Sequence, residues 1–121
     1  METEWQTILG KVPSKSNCYR IITIAGHSSL GKTKALREYE RNFFIQCGVR
    51  GLEIADYFEF HCRVFYPSQK SDLDNSLKIL LDCLQMTKTI RNDNLCVKIV
   101  VEKFVDKECP RVEFCIKTAG C

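Results

Sequence analysis

From Asp56 to Tyr66 the residues alternate: Phe58, Phe60, Cys62, Val64 and Tyr66 fall on one side, Glu59, His61 and Arg63 on the other. A period of two sustained over that length describes a strand with one buried and one wetter face, and no helix satisfies it. His61 then belongs to the wetter face of a strand rather than to a catalytic base. Pro67 has no amide proton with which to continue a ladder, so the strand ends there. The segment that follows, Lys70 to Asp93, changes period, and the strand is expected to deliver it to a sheet edge.

Within that segment Leu73, Leu77, Leu80, Leu81 and Leu84 recur at helical spacing, while Asp74, Lys78 and Asp82 recur every fourth residue along another face. Asp72 stands at the N-cap position, where a carboxylate accepts free backbone N–H groups and complements the helix dipole. Asp72 and Asp74 flank a single leucine. Two such carboxylates repel each other unless a cation lies between them, and a few hard oxygen ligands are what magnesium or manganese requires. A cap followed by a solvated helix face is the plainer reading of the same residues, and local pattern leaves both open.

Elsewhere, Trp5 to Leu9 reads as a first strand closed by Gly10 and Pro13, and Arg20 to Ala25 as a second. Lys34 to Cys47 reads as a helix ending at Gly48, with Leu36, Tyr39, Phe43 and Cys47 on one face and Lys34, Arg37 and Arg41 on the other. That basic stripe suits either a solvated face or phosphate contact. Leu95 to Phe104 and Arg111 to Lys117 are two more alternating strands, joined by a turn containing Asp106 and Pro110, and Asp93 just precedes the first of them. The expected fold is α+β, a mixed sheet of about five strands with two helices, and 121 residues suit one domain spanning the chain.

A competing signal lies between the second strand and the first helix. Gly26 to Thr33, G-H-S-S-L-G-K-T, satisfies the phosphate-loop pattern, in which backbone amides cradle phosphates, Lys32 reaches the terminal ones and Thr33 binds magnesium. Such loops need a parallel, helix-covered sheet with an acidic residue on a second strand, and the remaining strands read mostly as hairpins. Nucleotide binding is therefore an alternative of lower weight.

The net charge of +3 does not by itself mark a nucleic-acid binder. Its distribution says more: residues 1–50 carry Lys11, Lys15, Arg20, Lys32, Lys34, Arg37, Arg41 and Arg50 against Glu2, Glu4, Glu38 and Glu40, whereas the remainder is slightly acidic. A basic half beside an acidic cluster suits a protein that grips a phosphate backbone while cations neutralise its carboxylates. Eight cysteines include no C-x-x-C pair, and Cys47 and Cys62 fall at core positions, so a reduced, cytoplasmic protein without a zinc site is expected. No apolar run approaches the length of a membrane span, so no membrane partner is expected.

The pattern D-L-D-N-x-x-K-x-x-x-D from Asp72 to Asp82, followed by Asp93 and then Lys103, resembles the RusA family of Holliday-junction resolvases. Gly10, Pro13, Ser14, Lys15 and Asn17 resemble that family's opening turn, and Leu30 to Phe43 its first helix, with Tyr39 near the family's tyrosine. The resemblance implies a metal-dependent endonuclease of branched DNA acting in recombination and repair, in a bacterial or phage setting; a homodimer is expected because resolving a junction takes two symmetry-related nicks and the chain carries one candidate acidic cluster. It places Asp72, Asp74 and Asp93 on Mg2+, or Mn2+ in its stead, with Lys78 as a catalytic partner. Candidate DNA contacts are Lys15, Asn17, Lys32, Lys34, Arg37 and Arg41. In the family alignment Gly26 to Thr33 becomes a hairpin end and helix start. The family's paired aspartates at the last position are here Asn92 and Asp93, which keeps a non-catalytic DNA-binding module of the same fold as an alternative.

Overall fold

The computed structural model of the protein describes residues 1–14, 18–74 and 76–118. In chain order it contains β1 (Gln6–Leu9), β2 (Tyr19–Ile24), β3 (His27–Lys32), α1 (Lys34–Gln46), β4 (Phe58–Tyr66), α2 (Leu77–Met86), a single 3-10 turn at Asp93–Leu95, β5 (Cys96–Val105) and β6 (Arg111–Thr118). The α+β class holds, but the strands divide into a four-stranded mixed sheet ordered β1-β6-β4-β5 and a separate two-stranded hairpin, β2-β3. None of the described helices is long and apolar enough to cross a membrane.

The alternation in β4 is realised in full: Phe58, Phe60, Cys62, Val64 and Tyr66 are buried, and the intervening residues are half-buried on the opposite face. β4 runs antiparallel to β6 on one side and parallel to β5 on the other. It is thus an interior strand, and the acidic segment leaves from its end rather than from a sheet edge. Nor do β5 and β6 form the expected hairpin. The chain crosses over β4 between them, through a turn in which the Asp106 carboxylate accepts the N–H groups of Glu108 and Cys109 and binds the Arg111 guanidinium at 2.9 Å. Those backbone bonds, with Arg111, hold the Asp106 carboxyl below its ordinary range.

Both helices cover the inner face of the sheet. Leu36, Tyr39 and Phe43 of α1, with Cys47 just beyond it, join Ile79, Leu80, Cys83 and Leu84 of α2 in one core with Ile8, Val112, Phe114 and Ile116. Thr33 caps α1 with its hydroxyl on the Leu36 N–H. α2 begins later than its leucines suggest. Ser76, not Asp72, occupies the cap position, and Leu73 is exposed in the preceding loop instead of lying on the apolar face. The leucine spacing continues through the loop, and Ile79 and Cys83, missing from a leucine-only stripe, share the buried face with Leu80 and Leu84.

The Tyr39 hydroxyl is buried without a hydrogen-bond partner among the described residues, and burial pushes its ionisation far up. A buried hydroxyl without a partner carries a desolvation penalty that a phenyl ring avoids. Tyr39→Phe is expected to raise stability by roughly 1 kcal/mol, read as a higher urea midpoint at unchanged slope. A lower midpoint would mean that the hydroxyl is satisfied.

Candidate active site

Tyr66 is the last residue of β4, and its ring belongs to the core. Its hydroxyl reaches out of that core to lie 3.2 Å from the Ser76 hydroxyl and 3.3 Å from the Asp72 carbonyl oxygen. The Lys103 ammonium of β5 binds the Gln69 carbonyl at 2.9 Å. The loop between β4 and α2 is therefore fastened at three points while its carboxylates stay outside: Asp72 and Asp74 are exposed, and among the described residues neither side chain takes a hydrogen bond or an ion pair. Both are near enough to be felt by Tyr66. Burial raises the Tyr66 hydroxyl, the bond to Ser76 opposes that shift, and Asp74 and Asp72 add to it.

Lys78 stands in the first turn of α2 and projects along the helix surface. Its ammonium is 3.0 Å from Asp82 Oδ1, one turn on, and 3.6 Å from Asp93 Oδ2, which belongs to the 3-10 turn before β5. The Asp82 hydrogen bond is the main influence holding the Lys78 ammonium above its ordinary range, with Asp93 adding to it. Asp93 is itself positioned from both sides: its N–H donates to Gln85 Oε1 of α2, and Asn92 caps its turn by accepting the Asn94 N–H. Asn92 thus has a structural duty that its amide side chain performs well.

The charges continue past α2. Lys32, at the end of β3, binds Glu40 of α1 at 2.8 Å, and this hydrogen bond is the main influence raising it, with Asp82 a smaller contributor. Alternating charge runs Glu40, Lys32, Asp82, Lys78, Asp93 across four elements. Asp82 and Glu40 were not among the site residues expected from the sequence. Helical spacing from Lys78 flags Asp82, whereas no local signal flags Glu40.

The structure thus brings Lys78 and Asp93 together, leaves Asp72 and Asp74 exposed on the fastened loop, and places Lys32 next to Glu40, near enough to Asp82 to feel its charge. Among the described residues, no three His, Cys, Asp or Glu side chains gather as they would around a metal ion. Lys34, Arg37 and Arg41 are exposed on α1, Lys34 facing Glu38 at 3.8 Å and both arginines without an ion pair among the described residues. Lys15 and Asn17 lie outside the described residues.

Gly26 to Thr33 is not a phosphate loop. Ala25 and Gly26, both at positive φ, form the two-residue turn of an antiparallel hairpin, where glycine meets no steric penalty. A Cβ on Gly31 would come within 3.0 Å of Ile22 Cδ1 across the hairpin, so the second glycine serves close packing. Lys32 is turned to Glu40 and Thr33 caps α1. With every defining residue occupied by hairpin or helix duties, titration with ATP is expected to give no saturable binding. An affinity that vanished in Lys32→Ala would overturn that expectation.

The family model described as endodeoxyribonuclease RusA matches residues 30–117, from the end of the hairpin through β6. No curated protein matches the chain.

Proposed function

Because the chain belongs to the RusA family of endodeoxyribonucleases, we propose that it cuts four-way and related branched DNA by paired, symmetry-related nicks in recombination and repair, with a divalent cation, Mg2+ or Mn2+, held by Asp72, Asp74 and Asp93. The observation that carries this reading is the Lys78 ammonium 3.6 Å from Asp93, which joins two motif positions separated by the rest of α2 and the following turn.

Two of the three donors, Asp72 and Asp74, suit such a cation by their chemistry. Asp72 and Asp74 offer hard oxygens, solvent-facing and unpaired among the described residues, whose mutual repulsion a divalent ion relieves. A cation there supplies a Lewis acid for the phosphodiester. The chain's own residues do the rest. Tyr66 and Ser76 hold the acidic loop, Asn92 and Gln85 hold Asp93. Lys78, kept protonated by Asp82 and Asp93, sets a positive charge where a scissile phosphate develops negative charge. Arg37 and Arg41, without an ion pair among the described residues, contact backbone phosphates outside the cleavage point, and each phosphate neutralised steepens the fall of log affinity with log salt by about 0.9.

Two nicks need two sites, and this chain carries one acidic motif, so the active species is a homodimer. Sedimentation at micromolar concentration is expected to give a two-chain particle. A chain that stays monomeric free and on junction DNA, yet makes paired nicks, contradicts this.

The function is tested by incubating the protein with a four-way junction and matched duplex, with and without Mg2+. Paired nicks confined to junction and cation support the reading. Tight junction binding with no cutting in Mg2+ or Mn2+ replaces it with a non-catalytic DNA-binding module.

A further inference from the structure

The four-stranded sheet has two edges of unlike character. β1 is a short strand of 4 residues, whereas β5 runs for 10 and among the described residues pairs only with β4. A long strand with unpaired N–H and C=O groups is a template for another strand, and proteins blunt such edges with bulges, prolines or charged side chains; the charges of β5 are of both signs, so they can match those of a second copy. From its pairing with Lys98 onward β4 meets β5 in continuous register, and β5 contains no proline. Its apolar side chains stay open: Val97, Ile99, Val100, Phe104 and Val105 are all exposed.

The charges on β5 are arranged about a centre. Lys98 and Glu102 lie two residues on either side of Val100, and the three share the outer face of the sheet with Glu59, His61 and Arg63. We propose that two copies of the chain join their sheets by antiparallel pairing of β5 with β5 about a two-fold axis through Val100. This identifies the interface of the homodimer and rests on that reading.

In this register each Lys98 faces the partner's Glu102, Val100 faces the partner's Val100, and Ile99 faces the partner's Val101. Shifting the register by one residue sets Lys98 against the partner's Lys103, and pairing Glu102 with the partner's Lys103 shortens the overlap to the end of the strand. The register centred on Val100 is the one that matches opposite charges while pairing the regular stretch Lys98 to Glu102 of both copies, clear of the irregularity at Val97. Lys103 does not oppose it, because its ammonium is drawn to the Gln69 carbonyl. Glu102, already 3.7 Å from Arg63, comes to lie between two cations. The outcome is a continuous sheet of eight strands with an isologous contact, as a closed two-fold dimer demands.

The test uses the full chain with exposed Cys109 and terminal Cys121 replaced by serine. Val100→Cys is expected to form a disulfide-linked dimer on mild oxidation, because facing residues of an antiparallel pair lie within disulfide reach. Val97→Cys is expected not to, since its counterpart is about 20 Å along the strand. By sedimentation, Lys98→Glu and Glu102→Lys should each weaken dimerisation about tenfold, and the double exchange should restore it. A dimer that forms without the Val100→Cys cross-link and ignores the charge exchanges places the interface elsewhere and leaves the homodimer reading intact. A chain monomeric at micromolar concentration overturns both.

Discussion

Asp74→Asn is expected to lower junction cleavage by roughly 10²–10³-fold while leaving junction binding at least as tight as in the wild type. The side chain keeps its shape and loses its charge. Asp74 is exposed, and no hydrogen bond or ion pair among the described residues depends on its carboxylate, so the fold has no reason to respond. What changes is the field at the loop. A neutral amide is a poor ligand for a hard divalent cation, and the Lewis-acid contribution of several kcal/mol is lost with it. Removing a negative charge from a surface that approaches phosphates favours binding instead. Separation of cutting from binding is the informative outcome, measured by nicking rate and gel-shift affinity on the same junction. Wild-type cutting by the variant would remove Asp74 from the site.

Phe114→Ala is expected to reduce folding stability by roughly 3–5 kcal/mol, a large share of what a domain of this size possesses. Phe114 is fully buried in β6, with its ring stacked on Phe43 of α1 at 5.8 Å and 9° and tilted against Phe60 of β4 at 5.9 Å. In the sheet it pairs with Gln6 of β1 and Cys62 of β4. The ring therefore joins α1 to β4 and β6, while its backbone lies beside β1. Truncation leaves a cavity that these elements must move to fill, and urea unfolding reads the loss directly. A change below about 1 kcal/mol would mean that this face of the core repacks freely.

Some of this was readable before any coordinates. The alternation of β4 leaves no other conformation, and the α1 face of Leu36, Tyr39, Phe43 and Cys47 follows from a helical period that ends at Gly48. Local pattern failed where two structures share one signal. Gly26 and Gly31 satisfy a phosphate-loop pattern because the same glycines suit a tight turn and a close cross-strand packing. Leu73 continues a leucine spacing that the helix has not yet begun. Two alternating strands joined by a polar turn look like a hairpin, and only tertiary packing sets the interior, doubly paired β4 between β5 and β6.

The site divides the same way. Asp72, Asp74 and Lys78 were legible as a group because they share one segment. The approach of Asp93 to Lys78 came from resemblance alone, since nothing in the spacing encodes a contact made through the end of α2. Tyr66 was legible as a core residue, but not as the residue whose hydroxyl fastens the acidic loop, because alternation reports the direction of a ring and not the reach of its polar end.

The central claim is that the two ends of this motif, Asp72–Asp74 and Asp93, serve one cation. Titrating paramagnetic Mn2+ into the protein alone, with amide signals followed by NMR, tests that most directly. The account predicts that signals of both segments broaden together at substoichiometric Mn2+. Broadening confined to one segment, or to neither, contradicts it.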